Sequence, residues 1–166
     1  MKKFLAIIFV LLGACASHPP LDLVEKVDLE RYIGRWYEIA RLPHRFQEGC
    51  LQSQADYHRN EDGTIRVLNS CTTKDGEKSA KGLAKVVKNT GNAQLKVSFF
   101  RPFWGDYQII ALDKDYQSAM VGAPDRKYLW ILSRIPDLDN ATLNRYLEKA
   151  RNQGFNIGEL VYDSTK

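Results

Sequence analysis

With 166 residues, 44% of them hydrophobic, the chain is long enough for one globular domain with a full core and too short for two of ordinary size. Its formal charge of +4 owes two units to Lys2 and Lys3; without them 22 basic residues face 20 acidic ones. No basic stripe runs along any segment, which argues against a nucleic-acid-binding protein. No internal repeat of fixed period is present, which excludes a solenoid.

Met1–Ala14 predicts a signal peptide: a basic start, the apolar run Phe4–Leu12, then small residues. The run falls short of the roughly 20 residues a membrane span needs. Leu12-Gly13-Ala14-Cys15 resembles a bacterial lipobox. That resemblance implies cleavage before Cys15 and lipidation of Cys15, whereas an ordinary secreted protein cut nearby is the alternative. Several acyl chains anchor stably where one does so marginally. Ala16, rather than Asp, implies an outer-membrane, periplasm-facing location. The domain reading is residues 1–14 as leader, 15–26 as a lipidated tether containing Pro19-Pro20, and 27–166 as the folded domain. With Cys15 lipidated, Cys50 and Cys71 are left as an even pair in an oxidising compartment.

After a possible helical turn at Leu29–Ile33, the chain reads as short strands. They are Gly34–Arg41, Leu51–His58, Thr64–Thr72, Glu77–Val87, Ala93–Phe99, Asp106–Leu112, Gln117–Gly122 and Lys127–Arg134. Turn chemistry separates them: Asn60–Gly63, Lys74-Asp75-Gly76, Asn89–Asn92, Pro102 with Gly105, Asp113–Asp115, Pro124-Asp125. One plain helix follows. Asp139 can cap Asn140–Gln153, Leu143, Tyr146, Leu147 and Ala150 share a face, and Gly154 can end it. The fold class is therefore all-β, a sandwich or barrel, with one C-terminal helix.

Connected as an up-and-down meander, the strands run between a floor, where Gly34 begins, and a mouth, where Arg41 ends. The Asn60–Gly63 turn lies at the floor, so Cys50 and Cys71 become neighbours at the mouth end of a hairpin, placed for a disulfide. Trp36, the Asp113–Tyr116 turn and Arg134 converge at the floor. A guanidinium stacked on an indole is favourable, by roughly 1 kcal/mol or more when desolvated.

Gly34-x-Trp36-Tyr37, the Asp115-Tyr116 turn and Arg134 resemble the three sequence motifs of the lipocalins, with agreement from about Val27 to Phe155. Within that family the chain is most similar to the branch that holds bacterial outer-membrane lipoproteins and apolipoprotein D. Lys114 stands where the middle motif often has Thr, which touches local turn geometry only. The resemblance implies an eight-stranded antiparallel up-and-down lipocalin barrel with the helix packed outside. It also implies one small apolar ligand in the cup, the capacity expected of that barrel size.

Strand parity with Trp36 turns Glu38 and Ala40 inward and Arg41 outward. Ile65, Val67, Asn69 and Cys71 share a face on the third strand; Tyr107, Ile109 and Ala111 are taken as inward on the sixth; Tyr128, Trp130 and Leu132 on the eighth. The expected inner face is aromatic and uncharged apart from Glu38. Each position taken singly is compatible with ordinary barrel filling. The rim has Phe99-Phe100-Arg101-Pro102-Phe103-Trp104 on one side and Leu42–Phe46 on the other, with Arg45, Arg101 and His44 available for a carboxylate or phosphate. Candidate ligand-binding residues are thus Glu38, Ala40, Val67, Asn69, Trp104, Tyr107, Trp130, Arg45 and Arg101.

No catalytic spacing is present: no His-x-x-x-His, no Cys-x-x-Cys, no nucleophile elbow. The expectation is a binding protein without cofactor or metal, monomeric or weakly dimeric. Its partner would be a fatty acid or lysophospholipid, stored or transported during envelope maintenance. A structural envelope lipoprotein with a filled barrel, or a haem- or tetrapyrrole-binding lipocalin using His44 or His58, are the alternatives.

Overall fold

The structure is a computed structural model that describes residues 18–163; the leader, Cys15 and Ser164–Lys166 lie outside the described residues. The strands are β1 (Gly34–Arg41), β2 (Gln52–Arg59), β3 (Ile65–Thr73), β4 (Gly76–Val86), β5 (Gln94–Phe100), β6 (Phe103–Leu112), β7 (Ser118–Gly122) and β8 (Leu129–Ser133). Each sits on a stretch read as a strand from alternation, although β6 starts earlier, at Phe103 instead of Asp106. All neighbours are antiparallel and sequential, β8 returns to β1, and β1 closes on β2 through Gly34–Tyr37. The meander is therefore the expected closed barrel.

Two short elements close its ends. Helix α1 (Leu29–Tyr32) is capped by Asp28, whose carboxylate accepts from the Glu30 N–H, and it lies across the floor. A strand not foreseen from the sequence, β9 (Val161–Tyr162), pairs with Ala40 and Arg41 on the edge of β1. It fits there because β1 and β2 pair only over the floor half, leaving the mouth half of β1 with free backbone groups.

Helix α2 (Asn140–Asn152) starts where Asp139 accepts from the Thr142 N–H at 2.9 Å. Its Tyr146 and Ala150 bury against the outside of β6, β7 and β8. The molecule thus has two cores. Trp36, Ile65, Val67, Leu95, Ile109 and Val121 fill the barrel. Ile110, Met120, Leu129 and Ile131 pack under α2.

Bulges in two strands overturn part of the parity reading. In β1, Glu38 stands opposite Leu132 but Ala40 opposite Ile131 and Arg41 opposite Trp130. One extra residue reverses every side chain beyond it. Ala40, expected in the cup, therefore lies in the outer core under α2, fully buried, while Arg41 turns inward. A second bulge in β6, between Ile109 and Ala111, moves Ala111 to the outer core too. It also leaves the Ile109 carbonyl to accept from the Val24 N–H at 3.1 Å. The stretch read as the end of a tether is thus docked: Leu21 is buried, and the Val27 N–H donates to the Gly91 carbonyl at 2.8 Å.

Candidate functional site

The floor is built around Arg134. Its guanidinium lies 3.8 Å from the centre of the Trp36 ring. It donates to the carbonyls of Arg31 and Arg35 at 2.7 Å, of Tyr32 and Ile33 at 3.1 Å, and of Tyr116 at 3.1 Å. One side chain thus satisfies the open carbonyl end of α1 and ties it to β1 and the β6–β7 turn. Gly34 makes room for this: its φ is +95°, and a Cβ there would sit 3.4 Å from Arg134 Nη1. In the turn it is Asp113, not Asp115, whose carboxylate accepts from the Gln117 and Ser118 N–H groups, and Asp115 is exposed. The Tyr116 hydroxyl accepts from the Asp28 N–H at 2.8 Å.

Directly above the floor three tyrosine hydroxyls meet. Tyr32 of α1 and Tyr107 of β6 are 2.7 Å apart, and Tyr57 of β2 donates to Tyr107 at 3.2 Å. Burial pushes all three hydroxyls well up, that of Tyr57 to about 12, so they stay protonated. Around them on the inner face stand Val67, Ile109, Val121 and Leu132, with Trp130 towards the mouth, opposite Arg41, and Asn69 on the same face as Val67 but exposed.

The mouth is charged, contrary to the expected inner face. Arg41 donates to Glu38 at 2.8 Å and to Asp163 at 2.6 Å, with all three side chains buried. The same guanidinium reaches the Cys50 carbonyl at 3.2 Å. Gln47, in a one-turn helix over Arg45–Gln47, donates to Glu38 at 2.8 Å and accepts from the Trp130 indole at 3.0 Å. The Leu42–Gly49 loop is therefore strapped across the mouth by a side chain bonded into the barrel. Burial, then the neighbouring Asp163 charge, pushes Glu38 up to about 7, against the pull of Gln47 and Arg41; burial also raises Asp163. His44 packs its ring 5.4 Å from both Tyr128 and Trp130, and burial lowers its pKa. An open depression of about 500 Å³ is formed by the loop itself with Arg41, Cys50 and Val161. The Cys50–Cys71 disulfide, Cα atoms 5.5 Å apart, fastens the loop's far end to β3.

Of the residues picked from the sequence, the structure brings Glu38, Val67, Asn69, Tyr107 and Trp130 to the inner face. Glu38 is already held by Arg41 and Gln47. Trp104 is displaced: it belongs to β6, not to a loop, and lies on the outer face with Lys85 Nζ 5.1 Å from its ring. Arg45 and Arg101 are exposed on the rim, Arg45 over Phe46 at 4.8 Å. Phe46, Phe99, Phe100 and Phe103 are exposed beside them, Phe99 with its ring against Gly82. The sequence reading missed Arg41, Gln47, Asp163, Tyr32 and Tyr57. Only the tyrosines carried a signal, Tyr57 by its parity and Tyr32 as the apolar face of the helical turn. Among the described residues no group of His, Cys, Asp and Glu is arranged to hold a metal ion.

This arrangement defines the class of eight-stranded antiparallel barrels that are closed at one end by a short helix and covered at the other by a loop. Residues 27–165 match the family described as the lipocalin-like domain, and the chain belongs to the lipocalin family. It is 41% identical over 157 residues to the outer membrane lipoprotein Blc of Citrobacter freundii, covering 92% of this chain and 89% of that one. To apolipoprotein D of Mus musculus it is 33% identical over 163 residues, covering 90% and 82%. The solved structure of insecticyanin from Manduca sexta has the same fold, with a TM-score of 0.72 at 18% identity over 90% of this chain and 86% of that one.

Proposed function

We propose that the protein is an outer-membrane lipoprotein that holds one long-chain fatty acid or lysophospholipid in its barrel, for storage or transport within the envelope. The observation that carries this reading is an apolar inner wall of Val67, Ile109, Val121 and Trp130 in a barrel closed at the floor and covered at the mouth by the loop that Gln47 and Cys50 tie down. Such a wall selects for hydrocarbon, each fully buried methylene being worth roughly 0.8 kcal/mol before association costs. Arg45 and Arg101, exposed on the rim, would meet an anionic head. The anchor would be the lipidated Cys15, the tether ending where Leu21 docks. Sequence similarity to Blc over most of its length supports the same location, since that relative is named an outer membrane lipoprotein.

The test is a titration of the unlipidated protein with fatty acids and lysophospholipids of increasing chain length, followed by tryptophan fluorescence. Affinity should rise with length, and Trp130→Ala should weaken it by about 1–3 kcal/mol. Affinity independent of both would refute an internal site. Separately, Cys15→Ala should move the protein from the membrane fraction to the soluble one; persistent membrane anchoring would refute the lipobox reading.

A further inference from the structure

The meander sends two connections to opposite lips of the mouth. Counted round the ring of β1 to β8, the β1–β2 loop and the β5–β6 turn lie across the opening from each other. Both carry bare aromatic rings. Phe100 and Phe103 pair across the β5–β6 hairpin tip and are 78% and 72% exposed, and Phe46 on the other lip is 69% exposed. Rings left this open to water mark a surface that something covers. Lips that face each other across an opening are covered together by a partner broad and flat enough to bridge it. Each lip also carries a cation: the Arg45 guanidinium lies 4.8 Å from the centre of the Phe46 ring, and Arg101 stands exposed in the turn between Phe100 and Phe103. A bilayer interface offers the matching layers, acyl chains for the rings and phosphate oxygens for the guanidiniums.

The chain ahead of β1 points the same end at a membrane. It runs down the outside of the barrel from mouth to floor. At its upper end the Asp22 N–H donates to the Gln153 side-chain oxygen at 2.9 Å, and the Gln153 backbone carbonyl accepts at 2.9 Å from Arg126, in the β7–β8 turn at the mouth. At its lower end the Val27 N–H donates to the Gly91 carbonyl, in the β4–β5 turn at the floor. Leu21 is the first buried residue among those described. Six steps of chain lead from it to Val27 at the floor, and six lead back to Cys15. At no more than about 3.5 Å per residue, a lipid on Cys15 reaches a bilayer at the mouth with slack, whereas a bilayer under the floor needs the tether doubled back at almost full extension.

We propose that the mouth end of the barrel docks on the surface of the membrane that anchors the chain, with Phe46, Phe100 and Phe103 entering the interface and Arg45 and Arg101 meeting headgroup phosphates. The placement of the anchor rests on the lipidated Cys15 proposed above, whereas the aromatic lips stand without it. With the cup also taken as a lipid site, lipid passes between bilayer and barrel through the mouth.

The test uses the chain from Ala16 onward, which cannot be lipidated and keeps the whole fold from Leu21 on. It is sedimented with vesicles of phosphatidylethanolamine and phosphatidylglycerol. The wild type should bind them, and Phe100→Ser/Phe103→Ser should weaken binding by about 10-fold or more. Phe46→Ser, on the opposite lip, should weaken it by about 3-fold, and Arg101→Gln by about 5-fold. All four side chains are exposed, so circular dichroism should be unchanged. The affinity of the double variant for hexadecanoic acid in solution should also be unchanged. In the lipidated protein on the same vesicles, amide exchange should slow at residues 42–51 and 99–103 relative to the lipid-free chain, and not at the floor turns, residues 60–63 and 113–117. Protection of the floor turns instead, or equal vesicle binding by wild type and variants, overturns the docking. So does a wild type that stays off the vesicles and forms a dimer that the double variant dissolves, which assigns the lips to a second copy of the chain. The cup fails separately, through absence of hexadecanoic acid binding by the wild type in solution, and the vesicle result then still decides the docking.

Discussion

Replacing Glu38 with Gln should flatten the pH dependence of stability. Glu38 is buried beside Arg41, which it shares with Asp163. Its folded pKa is about 7, against 4.5 for the free side chain. The folded state therefore binds a proton more readily than the unfolded one between those values. Stability from this group is fully present below the lower value and is lost as pH rises through the upper one. At 1.36 kcal/mol per unit, the loss is on the order of 3 kcal/mol at most. Asp163, also raised, acts in the same direction, and its stability too falls as pH rises. His44 acts in the opposite direction: its lowered pKa makes the folded state bind fewer protons, so stability rises with pH through the region below its ordinary value. The difference between wild type and Glu38→Gln removes most of the His44 contribution, provided the loop stays in place. Urea unfolding of both proteins from pH 5 to pH 8 should show the variant gaining on the wild type as pH rises. Parallel curves would refute the reasoning and would mean that Arg41 keeps Glu38 ionised throughout.

Arg134→Ala should cost about 2–4 kcal/mol in urea unfolding, because five carbonyls lose a charged donor at once, and Arg134→Lys should recover only part of it. Non-reducing peptide mapping should recover Cys50 joined to Cys71, and Cys50→Ser/Cys71→Ser should lower stability by about 3 kcal/mol for a link closing a separation of 21 residues. Ala40→Trp, which simple parity would treat as a cup-filling change, should instead overpack the core under α2 and destabilise the fold by about 3 kcal/mol or more, read as a fall in midpoint. A folded Ala40→Trp protein with blocked binding would restore the parity view and contradict the bulge in β1.

The floor was legible in the sequence because its parts are local signals with fixed meanings. A glycine before a tryptophan, an Asp-rich turn and an arginine at a strand end each define one strand terminus, and a meander leaves those termini one place to meet. The disulfide was legible for the same reason: hairpin register depends on the turn and on period-two alternation, and β2–β3 keeps its register from Gln52 to Arg59 without a break. The mouth was not legible, because a bulge has no signature in Glu38-Ile39-Ala40-Arg41. Whichever residue follows the bulge inherits the inward position, and here that residue is a charged one. Once Arg41 points inward, it needs carboxylates within reach, and Glu38 supplies one from the same strand. The second comes from Asp163, at the end of a segment with no alternation to read, which docks because β1 and β2 separate and expose the edge of β1. A single inserted residue thus accounts for Ala40 leaving the cup and for an ion pair in a barrel expected to be uncharged, whereas the ninth strand follows from the parting of β1 and β2. The same cluster holds Gln47 and with it the loop over the mouth. The covering of the cup is therefore set by long-range ion pairing, which local sequence pattern does not encode.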